Sequence, residues 1–324
     1  MASIKDVAKL AGVGVGTVSR VINNRDLVSA KTRLKVHQAI EVLGFVPNEV
    51  ARNFKLQTSN LVALLVPTIW HPYFSKIAYF IEDELDKVGM KVMFCNSEGK
   101  PEKEKYYLGM LRKNKVAGMI GITYNHIEDL LSMDIPMVSI DRQFGDAITC
   151  VSADNFEGGR LALRELLAAG CKKPLYIGGV TEVGSEVMER KAGFLFEAEQ
   201  QGIAIQVFEW PQIEVALGSD MLIQPVFDQI SDYDGVFAIS DMVAAAYISL
   251  AKERGISVPA DVKVIGFDGI QTNAYFHPIL STIEQPVKEI VELAVKLLME
   301  KITNPRLPAT FHRLPVRYLK GETT

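Results

Sequence analysis

Ile4-Lys5-Asp6-Val7-Ala8-Lys9-Leu10-Ala11-Gly12-Val13-Gly14-Val15-Gly16-Thr17-Val18-Ser19-Arg20-Val21-Ile22-Asn23 lies almost at the start of the chain. Ile4, Val7, Ala8 and Ala11 recur at the three- and four-residue steps that place side chains on one face of a helix. Gly12-Val13-Gly14 breaks that helix. A second begins at Val15, with Val18, Val21 and Ile22 facing inward and Gly16, Thr17 and Arg20 facing out. Two helices joined by a glycine-containing turn predict a helix-turn-helix, whose second helix reads the major groove of DNA. A third helix is expected over Ser29–Leu43, with Ser29 as its N-cap, Gly44 just past its end, and Val36, Ala39, Ile40 and Leu43 on its buried face.

Working outward, Pro47-Asn48-Glu49-Val50-Ala51-Arg52-Asn53-Phe54-Lys55 fits one short helix with Pro47 at its start. So short a helix is not stable alone in water, so its folding should depend on a partner. Gln57-Thr58-Ser59-Asn60 is a polar linker. From Leu61 the pattern changes. Apolar runs at Leu61–Val66, Val92–Cys95, Met119–Ile122, Met137–Ile140, Leu175–Ile177, Val236–Ile239 and Val262–Ile265 alternate with helical stretches such as Asn155–Ala169, Val187–Gln201 and Met242–Arg254. Such alternation predicts two parallel-sheet α/β lobes with a ligand cleft beyond the carboxyl ends of their strands.

The 324 residues, 48% hydrophobic, suffice for more than one core. Their net charge of −4 hides a split: residues 1–60 hold nine Lys/Arg against four acids, +5, which leaves −9 for the rest. A basic head on an acidic body suits a head that binds phosphates and a body that avoids them. Cys95, Cys150 and Cys171 form neither a CxxC nor a zinc pattern, and the five histidines are scattered, so no metal, disulfide framework or cofactor is expected. No charged segment followed by an apolar stretch opens the chain, and no 18-residue apolar run occurs. These absences predict a cytoplasmic protein without a membrane partner. Gly12-x-Gly14-x-Gly16 follows a helix rather than a strand, no Gly-Lys-Ser/Thr follows Gly178-Gly179, and neither Gly-x-Ser-x-Gly nor His-Glu-x-x-His is present. An enzyme is therefore not expected.

The run from Ile4 to Asn23, with Pro47-Asn48 and Ala51-Arg52 at matched spacing, resembles the lactose/galactose-repressor family of bacterial transcription factors. Ile140-Asp141-Arg142, Asp154-Asn155-x-x-Gly158-Gly159, Val264-Ile265-Gly266-Phe267-Asp268-Gly269 and Leu280-Ser281-Thr282-Ile283-Glu284-Gln285-Pro286 are similar to the sugar-sensing core of that family, which itself resembles periplasmic ribose-binding proteins. His71-x-Tyr73-Phe74 and Asn155-Phe156-Glu157-Gly158-Gly159-Arg160 look most like the sucrose-operon repressors of Gram-positive bacteria, and next like ribose-operon repressors.

The resemblance implies an all-α helix-turn-helix head over residues 1–46, a hinge helix and linker over 47–60, and a two-lobed α/β body over 61–324. One lobe would take about 61–153 and 286–314, the other about 154–285 and 315–324. It implies a repressor of a carbohydrate-utilisation operon. Its affinity for palindromic operator DNA would be set by a small sugar or sugar phosphate, fructose- or sucrose-derived or ribose, held between the lobes. A symmetric operator needs two heads, which implies a homodimer. After Pro315 only Val316 to Thr324 remain, too little for a tetramerising heptad helix. Two other readings stand beside this one: a phosphorylated partner protein as the effector, and a sugar-binding protein or enzyme with no DNA role.

On DNA, the resemblance assigns contacts to Val15, Gly16, Thr17, Ser19, Arg20 and Asn23, and to Asn48, Ala51 and Phe54 of the hinge. The chain departs from the family at Gly14, where Ser is common as the N-cap, and at Gly16, which offers no side chain to a base. Direct readout is left to Val15 against a thymine methyl and Arg20 against guanine. Phe54 stands where relatives carry a Leu wedged into the minor groove, and an aromatic ring can act as such a wedge; the plainer alternative packs it on the body.

For the effector, Asp141, Arg142, Arg190, Asp268 and Gln285 carry over from the ribose-binding proteins as acceptors and donors for sugar hydroxyls. Tyr73 and Phe74 match aromatics that cover the sugar faces, and Trp210 is a further stacking candidate. His71 and Ser240 stand where ribose binders have Asn. Plainer roles exist for several: an ion pair for Asp141 and Arg142, a turn for Asp268, a helix cap for His71 and a solvated face for Arg190.

Overall fold

The computed structural model describes residues 2–22, 28–45, 59–114, 116–131, 135–181, 183–211, 232–270 and 277–324. They belong to two compact units, residues 1–58 and 59–324. The first unit holds α1 (Ile4–Ala11), α2 (Val15–Ile22) and α3 (Ala30–Leu43). The carboxylate of Asp6 reaches back to the Ser3 N–H at 2.9 Å and so fastens the start of α1. Gly12 ends it in the left-handed region, at φ 65°, where a side chain would be strained. The Gly14 carbonyl accepts from Thr17 and Val18 and so opens α2. Ser29 caps α3 by accepting the Thr32 N–H. Val7, Ala8, Ala11, Val18, Val21, Val36 and Ala39 fill the core, each buried valine contributing about 1.5–3 kcal/mol over an exposed one. The hinge segment 47–55 lies outside the described residues.

The second unit is two sheets flanked by helices. In the first, β1 (Leu61–Val66), β2 (Lys91–Asn96), β3 (Gly118–Gly121), β4 (Met137–Ile140), β5 (Thr149–Ala153) and β11 (Phe311–Leu314) line up as β11-β5-β4-β3-β1-β2, all parallel. Alternate residues of β1 serve different layers. Val62, Leu64 and Val66 join a core with α4 (Pro72–Lys87) and α9 (Val287–Thr303). Ala63 and Leu65 join another with Leu108 and Leu111 of α5 (Pro101–Asn114). A strand covered on both faces needs apolar residues throughout, which is why Leu61–Val66 reads as a continuous run rather than an alternation.

The second sheet runs β12-β10-β9-β8-β6-β7, with β6 (Pro174–Val180), β7 (Gln206–Pro211), β8 (Gly235–Ala238), β9 (Lys263–Asp268), β10 (Ser281–Glu284) and β12 (Arg317–Leu319). Only the β10–β12 pairing in it is antiparallel. Helices α6 (Asn155–Ala168), α7 (Glu189–Gln201) and α8 (Asp241–Glu253) accompany it. The sequence reading starts a helix at Val187; the structure gives a 3-10 turn over Glu186–Met188 and starts α7 at Glu189, because the Ser185 hydroxyl caps a tighter turn first. Helices α6 and α7 touch backbone to backbone at two glycines: a Cβ on Gly159 would lie 1.9 Å from the Arg190 carbonyl oxygen, and one on Gly193 1.9 Å from that of Phe156. The chain passes between the sheets three times, after β5, after β10 and after β11. Among the described residues no helix is long and apolar enough to cross a membrane.

Candidate DNA interface and effector site

In the first unit, burying Val18 and Val21 turns the opposite face of α2 to solvent. Val15, Gly16 and Arg20 are exposed, and Thr17 and Ser19 are half-buried. A Cβ on Gly16 would meet nothing within 4 Å, so packing does not explain the glycine. Asn23, Asn48, Ala51 and Phe54 lie outside the described residues.

In the second unit, polar side chains gather where strands of both sheets end. Asp141 directly follows β4 and Asp268 is the last residue of β9; both have positive φ, 59° and 115°. Non-glycine residues in those regions are strained by roughly 1–3 kcal/mol, a strain that surrounding structure must hold in place. Asp141 Oδ1 accepts the Ser152 hydroxyl at 2.8 Å. The Tyr73 hydroxyl lies 2.9 Å from Asp141 Oδ2 and 3.2 Å from Gln285 Oε1, sharing one proton between them. Gln285 Nε2 donates to Asp268 Oδ1 at 2.7 Å. Arg190 Nη1 donates to the same oxygen at 3.3 Å and to the Ile239 carbonyl at 2.6 Å, while Nε donates to Asn155 Oδ1 at 2.8 Å. The guanidinium lies 3.8 Å from the Phe267 ring centroid. One network thus joins Asp141, Tyr73, Gln285, Asp268, Arg190 and Asn155 across both sheets, all of them buried.

Burial raises the pKa of Asp141, against the pull of Arg190. Asp268 and Asp241 are both raised, first by burial; the nearby Asp268 charge raises Asp241 further. Asp241 accepts the Thr282 hydroxyl and, at 2.6 Å, the Ile270 N–H. His71 Nδ1 accepts the Tyr73 N–H at 3.2 Å and caps α4, which leaves the ring proton of the neutral form on Nε2. Burial, helped by Arg190, lowers its pKa to about 4, so it is neutral at pH 7. Its ring sits 5.3 Å from that of Phe74.

Five predicted residues lie outside this network: His71 and Phe74 border it through Tyr73, and three others are engaged elsewhere. Arg142 is buried, but its fork bonds the Asn125 carbonyl and Glu128 and stacks 4.4 Å over Phe144. Ser240 uses its hydroxyl oxygen to cap α8, accepting the Val243 N–H at 3.3 Å. Trp210, on β7, packs half-buried against the core of the second sheet. Conversely, Ser152, Asp241 and Glu186 enter the cluster or its border without having been singled out. Asp241 had a visible signal: it adjoins Ser240 at the end of an apolar run. Glu186 had none, because its partner Arg313 is distant in sequence.

A family profile described as "Bacterial regulatory proteins, lacI family" matches residues 3–48, and one described as "Periplasmic binding protein-like domain" matches residues 163–324. Among known proteins, the chain is 37% identical over 324 residues to the sucrose operon repressor of Streptococcus mutans serotype c, covering 100% of this chain and 99% of that one. The crystal structure of the Lac repressor dimer bound to operator and the anti-inducer ONPF matches with a TM-score of 0.86 at 25% identity, over 99% of this chain and 98% of that one. A periplasmic binding protein/LacI transcriptional regulator from Alkaliphilus metalliredigens QYMF, complexed with D-xylulofuranose, matches with a TM-score of 0.75 at 32% identity, over 82% of this chain and 99% of that one. Full-length identity above a third to a sucrose operon repressor, with the helix-turn-helix and the two-sheet body in the same order, leaves one assignment: the chain belongs to the lacI family of bacterial regulatory proteins.

Proposed function

We propose that the chain is a cytoplasmic, sequence-specific repressor of a carbohydrate-utilisation operon, acting as a homodimer on palindromic operator DNA and released or recruited by a neutral furanose. Residues 1–46 form the head, 47–60 the hinge and 61–324 the sensor, with the lobes divided at the three chain crossings. The observation that carries the sensor reading is the pair of buried carboxylates, Asp141 from one sheet and Asp268 from the other, bridged by Tyr73 and Gln285. Carboxylates hold sugar hydroxyls by accepting two protons each, and a ligand that satisfies both must engage both lobes.

The charge balance selects within the sugars. Arg190 is the only cation hydrogen-bonded to these carboxylates among the described residues, His71 is neutral, and Arg142 is engaged with Glu128. Asp141, Asp241 and Asp268 face it, so a phosphate would bring two more negative charges into a group already short of positive ones. The D-xylulofuranose carried by one relative and the sucrose operon controlled by another point to a fructose-type furanose, with ribose next. Calorimetric titration with fructose, sucrose, ribose and their phosphates tests this. One neutral sugar should bind at least about tenfold more tightly than its phosphate, a difference of roughly 1.4 kcal/mol, and the same sugar should shift operator affinity in a mobility assay. A phosphate ester binding more tightly than its parent sugar would overturn the neutral-ligand reading.

A further inference from the structure

Away from the cleft, the first sheet borders a cavity of about 230 Å³. It lies where β3 and β4 begin, at Met119 and Met137, on the sheet edge at which the chain enters β1: the Ala117 N–H donates to the Leu61 carbonyl there at 2.8 Å. Leu108 and Phe144 help to make its wall apolar, and its charged lining residues, among the described ones, are Arg112, Glu128 and Lys301. Two of these three are engaged. Arg112 Nη2 donates to the Leu130 carbonyl at 2.5 Å. Glu128 is bound by Arg142 and lies 3.7 Å from His126 Nδ1. Lys301, half-buried at the end of α9, has no hydrogen-bond or ion-pair partner among the described residues. An apolar hollow whose one ammonium group is unpaired among the described residues is suited to a small molecule that has an apolar body and one negative charge. A cavity of about 150 Å³ holds benzene, so this one has room for about nine non-hydrogen atoms.

We propose that this cavity is a second effector site, for a small monocarboxylate whose apolar body fills the hollow and whose carboxylate pairs with Lys301. The site meets the cleft network through one neighbouring residue. Phe144 and Glu128 line the cavity, and both hold the Arg142 guanidinium, one by stacking and one by charge. Arg142 directly follows Asp141, whose carboxylate belongs to the cleft network. A ligand that presses on Phe144 or displaces Glu128 therefore moves the residue next to Asp141, and any resulting coupling to sugar binding is reciprocal.

Phenylacetate, of about the right size for such a cavity, is the probe, titrated into the full-length protein by calorimetry and ligand-observed NMR. Phenylacetamide tests for the charge and acetate for the apolar body. Phenylacetate should bind with a Kd at or below about 1 mM, and both controls more weakly. Lys301→Gln should lower phenylacetate affinity about tenfold and leave phenylacetamide unchanged. Ala147→Trp, which puts a ring at the exposed rim of the cavity, should prevent binding. No saturable binding, an affinity indifferent to Lys301→Gln, or undiminished binding in Ala147→Trp would each overturn the proposal. The binding test does not depend on the sugar reading, whose failure would show separately as absence of sugar binding in the unaltered protein.

Discussion

The backbone carbonyl of Asp141 accepts the Glu186 N–H at 3.0 Å, while the carboxylate of the same Asp141 takes the hydroxyls of Tyr73 and Ser152. The left-handed conformation of Asp141 lets its two polar ends serve opposite lobes. Glu186 in turn accepts from Arg313 of β11 at 3.1 Å. A ligand that replaces the Tyr73 or Ser152 bond thus acts on a residue already fastened across the cleft.

Tyr73→Phe removes the proton shared by Asp141 and Gln285 and leaves two buried acceptors short of a donor. The body should lose about 1–3 kcal/mol, read from urea unfolding, and sugar affinity should fall about tenfold. Operator binding without sugar should persist.

Asp268→Ala should abolish the response to sugar in a mobility assay while binding to operator in its absence remains. The side chain accepts from Gln285 and Arg190, and its removal leaves a guanidinium without its carboxylate in a buried site. A near-normal sugar response in this variant would remove Asp268 from the sensor.

Arg190 and Arg142 should separate. Arg190→Gln should weaken sugar binding by about tenfold or more, since the fork it loses touches Asp268 and Asn155. Arg142→Gln should chiefly lower the melting temperature, because it leaves Glu128 and the Asn125 carbonyl unpaired, with sugar affinity changed less than about threefold. The reverse pattern would show that Arg142 turns into the cleft when sugar binds.

The raised pKa values of Asp241 and Asp268 make the ligand-free body sensitive to pH. The folded state keeps protons that the unfolded chain gives up near the ordinary carboxylate value of 3.8. This contribution is complete below that value and is lost as pH rises through the raised one, so stability falls over that window. Asp241→Asn mimics the protonated form. Chemical unfolding at several pH values should show a shallower fall for the variant and equal or greater stability at pH 8.

Gly16→Ala should stabilise the head by about 0.5–1 kcal/mol in thermal melts, because the position is helical and a methyl there meets nothing. Selection from randomised operators should show an altered base preference at one position per half-site. Destabilisation would mean that the glycine serves the fold.

The head was legible down to single residues, since its helices are local: Val7, Ala8, Val18, Val21, Val36 and Ala39 follow from spacing alone. The alternation of the body was legible for the same reason, although β5, β7, β10, β11 and β12 carry too short or too mixed a pattern to be picked out. At the site, Asp141 and Asp268 were named by the family resemblance, and both stand at strand ends. Side-chain direction was not legible. Asp141 and Arg142 are adjacent in sequence, yet their side chains serve different networks. The cap made by His71 was among the readings the sequence offered; the one made by Ser240 was not, because it depends on where a helix begins, to the residue.

The three crossings between the sheets fix the kind of equilibrium the sensor can have. Tethered at residues 154, 285–286 and 315–316, the lobes are always present to each other at high effective concentration. Any opening and closing of the lobes is therefore a unimolecular step, the same in dilute and concentrated solution, while pairing of two chains on an operator follows mass action. The sugar response should then keep its midpoint across protein concentrations at which operator occupancy changes, provided the dimer is intact, and a cell that makes few copies of this protein would lose repression before it lost sensitivity to sugar.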